Sequence, residues 1–477
     1  MSKYDTVIGL EVHVQLSTET KVFCSCRNVF GQSPNSCVCP VCLGHPGTLP
    51  VLNKKAFEYA IKVALALGCS VQRTVKFDRK NYYYPDLPKN YQISQYDMPI
   101  AYTGHVDITD ESDSLKTIGV TRAHLEEDAG KLIHDTGGPF SYVDFNRTGT
   151  PLLEIVSEPE ISSPEEAHRY LVELKRIVKY LGVSDCNMEE GSLRCDANIS
   201  LKLRGALQLG SKVEIKNLNS FKAVKDALSY EMSRQRDVLD EDGNIIQQTR
   251  LWDEKKGITV SMRSKEEAQD YRYFPEPDLV PFEVEEGIID AIRAGLPELA
   301  SAKKERFSKE YGLSEKDLEV LVSDRDIADF FERTVKVFPE VQAVANWIKG
   351  EVMMHLNERG KDILSLGVSA EDLAEIIKMT VSGRISALVA KEVLKKTIDS
   401  GDKPSDIVKE GSMEQLSDMD TLESVVAEVI SGNEKSVNDY RSGKDAALSF
   451  LVGQIMKLTK GKANPKVAGE MLRKRIT

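Results

Sequence analysis

The chain has 477 residues, 41% hydrophobic and 29% charged, with a formal net charge of −12. That length accommodates two to four domains with real cores, and no apolar run approaches the roughly 18 residues of a membrane span, so an integral membrane protein is excluded. The acidic balance also argues against a uniformly basic nucleic-acid coat. The start, Met1-Ser-Lys-Tyr-Asp-Thr-Val-Ile8, lacks the basic and apolar segments of a secretory signal, and a cytoplasmic protein is expected.

In chain order, Val7 to Leu16 comes first and alternates: Ile8, Leu10, Val12, Val14 and Leu16 point one way, Glu11, His13 and Gln15 the other. A strand with one wet face gives the same pattern, so the reading depends on whether the device recurs. Five of the eight cysteines follow within nineteen residues, at Cys24, Cys26, Cys37, Cys39 and Cys42. They are too few for a disulfide scaffold. Cys24-Ser-Cys26 and Cys39-Pro-Val-Cys42 suit four thiolates around a structural Zn²⁺, with a redox pair as the alternative and Cys37 as a fifth candidate. Cys69, Cys186 and Cys195 read as buried apolar residues.

Phe77 to Gln95 combines Arg79, Lys80 and Lys89 with four tyrosines and two prolines, and reads as a rigid loop. Its cations could hold phosphate or could snorkel to water. His124-Leu-Glu-Glu-Asp128 then sets Glu126, Glu127 and Asp128 behind a histidine. Ser163-Pro-Glu-Glu166 caps a helix whose apolar stripe runs from Ala167 to Leu181 and ends at Gly182; it is expected only to pack.

Leu193 to Leu203 repeats the alternation, with Arg194, Asp196, Asn198, Ser200 and Lys202 on one face and Glu190 just before it. Val213 to Asn219 adds Glu214 and Lys216. Recurrent Asp, Glu, Asn and His among arginines point to a shared carboxylate-rich site rather than a solvated face. Such groups suit Mg²⁺ held together with the phosphates of a substrate. The Gly-x-x-x-x-Gly-Lys-Ser/Thr cradle is missing, its nearest string being Arg441-Ser-Gly-Lys-Asp445, so any ATP would be held by metals and side chains on a sheet.

Beyond about residue 290 the strand signals fade, and 315–333, 341–358, 370–380, 384–399, 415–432 and 444–458 show helical spacing. The division expected is an α+β domain at 1–290, a helical domain at 291–405, and a helical tail at 406–477 after the Ser400-Gly-Asp-Lys-Pro404 break. Residues 435–477 carry ten Lys and Arg against three Asp and Glu, the balance of a polyanion-binding module. Lys457, Lys460, Lys462 and Lys466, near Gly461 and the Asn464-Pro465 turn, are its expected contacts.

Seven strings carry a resemblance. They are Thr6-Val-Ile-Gly-Leu-Glu-Val-His-Val-Gln15, Tyr84-Pro-Asp-Leu-Pro-Lys-Asn-Tyr-Gln-Ile-Ser-Gln95, His124-Leu-Glu-Glu-Asp-Ala-Gly-Lys131, the run from Asp144-Phe-Asn-Arg147 to Glu154-Ile-Val-Ser-Glu-Pro159, Val213-Glu-Ile-Lys-Asn-Leu-Asn-Ser220, Tyr271-Arg-Tyr-Phe-Pro-Glu-Pro-Asp278 and Phe450 to Lys466. In order and along the whole chain, they resemble GatB, the B subunit of the tRNA-dependent amidotransferases. The resemblance implies a glutamine synthetase-like antiparallel-sheet cradle, an all-α domain and a YqeY-like tail that touches tRNA. It implies ATP-dependent phosphorylation of the side-chain carboxylate on Glu-tRNA(Gln) and/or Asp-tRNA(Asn). Ammonia from an amidase-like A subunit then displaces phosphate, and a small C subunit is the third member of a heterotrimer.

By the same resemblance Glu11, His13, Glu126 and Glu190 are Mg²⁺ ligands, with Glu127 and Asp196 behind them. Lys80 and Lys89 serve phosphate or transition-state charge, joined by Arg79, Arg194 and Lys216 in holding the nucleotide. Zn²⁺ at Cys24, Cys26, Cys39 and Cys42 is expected to brace the fold, because some family members lack those cysteines; His45 beside Cys42 is a spare ligand or has no role. The archaeal E subunit shares the cradle but carries a large insertion for which this chain is too short. A glutaminase nucleophile motif is missing, so nitrogen must come from a partner.

Overall fold

A computed structural model describes residues 3–476, except 113, 135–137, 263–270, 412, 414–418, 460–462 and 464, and also omits the side chains of 419–421 and 466. The expected contacts Lys460 and Lys462, the Gly461 and Asn464 turn, and the side chain of Lys466 therefore lie outside the described residues. The chain divides into two compact units, Met1–Leu299 and Ala300–Thr477.

The first unit is organised by a nine-stranded sheet. Its order is Ile258–Ser261, Gln248–Asp253, Val213–Leu218, Leu193–Leu203, Tyr4–Gln15, Pro151–Ser157, Leu115–Glu127, Ala101–Thr109 and Ser70–Val71. The alternating first strand lies at the centre. Its Ile8, Leu10, Val12 and Val14 are buried in one core with Ala60, Ile61 and Val63 of the helix Lys54–Ala66, with Tyr170, Leu171 and Leu174 of Pro164–Leu181, and with Val224 and Leu228 of Phe221–Asp240. Each such side chain taken from water contributes about 1.5–3 kcal/mol, which pins the register of every strand with an apolar face. The Pro164–Leu181 helix begins where its cap is written: Ser163 Oγ accepts from Glu166 N, and Gly182 closes the other end at φ 66°.

Two expectations need correcting. The sheet is antiparallel except between Val213–Leu218 and Gln248–Asp253, which run parallel. The helix Phe221–Asp240 joins them, and a crossover of that length is what a parallel pair requires. The stretch from Phe77 to Gln95 is not a plain loop: Asp78–Asn81 pairs antiparallel with Tyr91–Ser94, and Phe274–Pro275 adds a third strand. Pro85 and Pro88 sit in the connection, where they remove no ladder hydrogen bond.

The second unit is helical in its described residues. One core gathers Phe307, Phe331, Val344, Ile348, Ile377 and Leu394 from helices between Ala300 and Glu410. A separate core gathers Leu422, Val426, Leu451, Ile455 and Leu472 from Met419–Gly432, Asp445–Leu458 and Pro465–Ile476. The 315–333 segment is two helices, Glu315–Leu321 and Arg325–Val337, because Asp324 caps the second by accepting from Asp326 N. Among the described residues no helix is long and apolar enough to cross a membrane.

Candidate active site and metal centres

The sheet face away from the helices carries the polar half of each alternating strand. Antiparallel register puts Arg194 opposite His13, His13 opposite Glu154, and Glu154 opposite His124, so four ionisable side chains form one row across four strands. His13 Nε2 lies 3.0 Å from Glu154 Oε2 and 3.9 Å from Glu126 Oε1. His124 Nε2 reaches the same two carboxylates at 3.4 and 3.6 Å. One ligand atom each from His13, Glu126 and Glu154 can be chosen so that all three lie within 4.8 Å of one another, a spacing that one cation can span.

Buried carboxylates need cations, and the local electrostatics show the pairing. Burial pushes the Glu154 carboxyl up, but His124 and His13 outweigh it and hold it well below the carboxylate range. Glu126 is held down against burial mainly by His124, with Lys80 also lowering it and Glu154 opposing. Burial would lower His124, yet Glu154 and Glu126 lift it to about 9; His13 is raised by the same carboxylates. Lys80 is raised against burial by Glu126, Tyr273 and Glu154, and its Nζ lies 4.9 Å from the centre of the Tyr271 ring. Among the described residues it makes no close ion pair, and its charge acts on the cluster through space.

The small sheet fixes this edge. Ser94 Oγ donates to Glu126 at 3.0 Å, Ile93 N to Glu127 at 2.9 Å, and Gln92 Nε2 to the Glu127 carbonyl at 2.6 Å. Lys89 is ion-paired with Glu127. At the next corner Asp128 receives Arg194 at 2.8 Å, Gln15 at 2.7 Å and Arg147 at 3.6 Å. Arg194 and Arg147 hold its carboxyl below the usual range although burial alone would raise it.

The cysteines form a second centre: Sγ atoms of Cys24, Cys26, Cys39 and Cys42 also lie within 4.8 Å of one another. Hydrogen bonding from Cys24 first, then from the Cys39 amide, with the Lys21 charge adding to them, holds the Cys42 thiol at about 4 against the upward push of burial. Burial raises Cys26 to about 11, while the hydrogen bond to Cys42 pushes Cys24 up. Four sulfurs gathered this closely suit a thiophilic dication, which displaces thiol protons as it binds. Cys37 is outside the set, its amide donating to Asn146 and its carbonyl accepting from Lys21. His45 is outside it too.

Residues 6–290 match the model of the GatB/GatE catalytic domain, and residues 329–476 match that of the GatB domain. The chain is 54% identical to an aspartyl/glutamyl-tRNA(Asn/Gln) amidotransferase B subunit from Carboxydothermus hydrogenoformans, over all of this chain and 99% of the relative. The chain belongs to the GatB family. Proteins with the same name from Brevibacillus brevis and Nitratidesulfovibrio vulgaris are each 51% identical, covering 99% and 100% of the chain and 98% and 100% of their own lengths. Enzymes of this family are amidotransferase subunits, so the polar face belongs to a ligase-type component of aminoacyl-tRNA synthesis.

Within this chain, His13, Glu126, Lys80, Lys89 and Glu127 come to one edge, and other expected residues stand apart. Glu11 lies one row along, opposite Asp196, and accepts from Asn198 Nδ2 at 2.9 Å. Lys216 bridges Asp196 and Glu214 at 3.2 and 3.3 Å. Glu190 is exposed in the turn before its strand. Arg79 is committed to Glu276 through two hydrogen bonds of 2.7 and 2.8 Å. Sequence reasoning did not single out Glu154 as a candidate ligand, His124 as the group facing it, or Asp128 as the partner of Arg194. The signal for Glu154 was a lone carboxylate in the apolar run Pro151-Leu-Leu-Glu-Ile-Val156.

Proposed function

We propose that this chain activates the side-chain carboxylate of Glu-tRNA(Gln) and/or Asp-tRNA(Asn) by phosphorylation with ATP. Ammonia delivered by an amidase-like A subunit then displaces phosphate to give the amide, and the heterotrimer is completed by a small C subunit. The His13–Glu126–Glu154 cluster, with Lys80 near it, carries the reading: two buried carboxylates and one half-buried imidazole leave room in a divalent cation's shell for phosphate oxygens. The two carboxylates suit Mg²⁺, and the imidazole makes Mn²⁺ acceptable as well. When bound, the cation neutralises charge on the transferring phosphoryl group.

The chain's own residues divide the remaining work. His124 lies within ion-pair distance of both carboxylates and favours their ionised forms. Lys80 meets negative charge as it develops, without reorganising at the moment of transfer. Lys89, paired with Glu127, lines the next position for phosphate or for the carboxylate under attack. Glu11 and Asp196 extend the acidic face, and Arg194 and Lys216 border the nucleotide. The Cys₄ centre is read as structural Zn²⁺. The domain limits 1–290, 291–405 and 406–477, the synthetase-like cradle and the YqeY-like tail belong to this proposal. Three separate apolar cores favour three bodies, although Leu296 and Leu299 pack on the first core and Ile407 and Val408 lie in the second, so each boundary falls a few residues later than 290 and 405.

The test is direct. The purified heterotrimer, given ATP, glutamine and each mischarged tRNA in turn, is expected to form Gln-tRNA(Gln), Asn-tRNA(Asn) or both, with ATP consumed only when such a tRNA is present. Amide formation that proceeds without ATP, or ATP use indifferent to the aminoacyl group, overturns the assignment.

A further inference from the structure

Lys21 is fully buried, a rare place for an ammonium group. Its Nζ donates to the Cys37 carbonyl at 2.8 Å and the Phe145 carbonyl at 3.5 Å, and lies 3.6 Å from Cys42 Sγ. Among the described residues no carboxylate pairs with it, so the Cys42 sulfur is the anion available. An ammonium taken out of water without a counter-charge costs several kcal/mol, which makes this lysine and a thiolate mutually dependent. Four thiolates around a dication leave excess negative charge, and a buried ammonium reduces it. Gly149, at φ 83°, brings its backbone against both side chains: a Cβ there would lie in van der Waals contact with Lys21 Cδ at 3.5 Å and Cys42 Cβ at 3.6 Å.

On its other side the cysteine knuckle turns at Gly44, where φ is 68°. A Cβ at Gly44 would overlap Lys89 Cγ, so the Lys89 stem runs directly along the backbone of this turn. The Lys89 side chain is only 8% exposed, and its charged end is held by Glu127. Cys24, Cys42, Gly44, His45, Lys89 and Glu127 share the wall of one cavity of about 60 Å³.

We propose that the four-cysteine knuckle, charge-balanced by Lys21, is a positioning element for Lys89: metal occupancy holds the Gly44 turn, and that turn holds the lysine against Glu127. The inference rests on reading the cysteines as a Zn²⁺ site, not on any role of Lys89 in the reaction. A loop of this kind has no helix or strand of its own, and without the ion it loses the constraint that fixes its backbone.

Acylation of lysines by an N-hydroxysuccinimide ester, read by peptide mass spectrometry on the substrate-free heterotrimer, reports the exposure and pairing of Lys89 without turnover. After zinc is removed by chelator, Lys89 should be labelled several-fold faster, while Lys62 on the Lys54–Ala66 helix keeps its rate. Gly44→Ala is expected to do the same with its zinc retained. Lys21→Met should surrender zinc with roughly 10–100-fold weaker affinity, and Lys21→Arg should fall between. Unchanged Lys89 labelling after zinc has left overturns the coupling, whichever variants fold. Zinc retention in Lys21→Met equal to that of the parent overturns the charge-balancing role. Full transamidation by Lys89→Met would instead remove that lysine from the proposed reaction and leave the labelling result standing.

Discussion

His13, Glu126 and Glu154 come from three neighbouring strands of one sheet, whereas Cys24, Cys26, Cys39 and Cys42 come from a stretch that forms no helix and only a single β-bridge. The first set is held in place by ladder hydrogen bonds, by an apolar core on the opposite face and by His124, Ser94 and Lys80. The second set has turns, one buried lysine and each other. Where the backbone is already fixed, an ion adds chemistry to a site that stands without it. Where it is not, the ion is part of the fold. Loss of a ligand should therefore be read as lost turnover in one centre and as lost order in the other.

The largest effect is expected from Glu154→Ala and Glu126→Ala. Each should abolish tRNA-dependent ATP hydrolysis while the heterotrimer still assembles; normal turnover in either variant would break the comparison. Next comes Asp128→Asn, which leaves the partly exposed Arg194 without its charged partner and should cost about 1.5–3 kcal/mol in denaturant unfolding. The direction with pH follows from the depressed carboxyl. Its contribution is complete above the unfolded value near 3.8 and disappears as pH falls through the lower folded value, so parent and variant should converge at the acid end.

Cys42→Ser should release zinc and lower the melting temperature of the first unit, at roughly 2–4 °C for each kcal/mol lost. Unchanged melting with the zinc gone would place this centre in the same class as the other. The smallest effect belongs to the tail, which tests charge without a metal. The exposed Lys457, Lys474 and Arg475 lie on its last two helices. Deletion beyond residue 413, which spares the second core, should weaken tRNA binding and flatten its dependence on salt by about one unit of slope for each phosphate no longer neutralised, with glutamine hydrolysis by the partner intact.

Much of this organisation was legible because it is local. Alternation at Val7–Leu16 and Leu193–Leu203 names the strands and their polar faces, and Ser163 with Gly182 brackets a helix to the residue. The cysteine spacing announced the knuckle. What escaped was relational. Glu154 interrupts an apolar strand, and only its register between His13 and His124 makes it the middle of the row. Glu11 and His13 share a strand face, yet the cluster gathers across strands rather than along them, so Glu11 lies one row away. Lys21 looks like any surface lysine until the fold closes over it. The parallel pair was hidden for the same reason: a crossover is visible only once both of its strands have been placed.

One consequence of the sheet order concerns the timing of assembly. The strand Tyr4–Gln15 leaves the ribosome before its partners but lies at the centre, between Pro151–Ser157 and Leu193–Leu203. Both of its neighbours are made long afterwards, and at roughly 5–20 residues per second the wait is about 10–40 s. Through that interval Ile8, Leu10, Val12 and Val14 are a bare apolar edge on a nascent chain. Ordering so remote in sequence is slow and exposed to aggregation, and a chaperone that shelters the early strand should raise the yield of this unit more than that of the helical one.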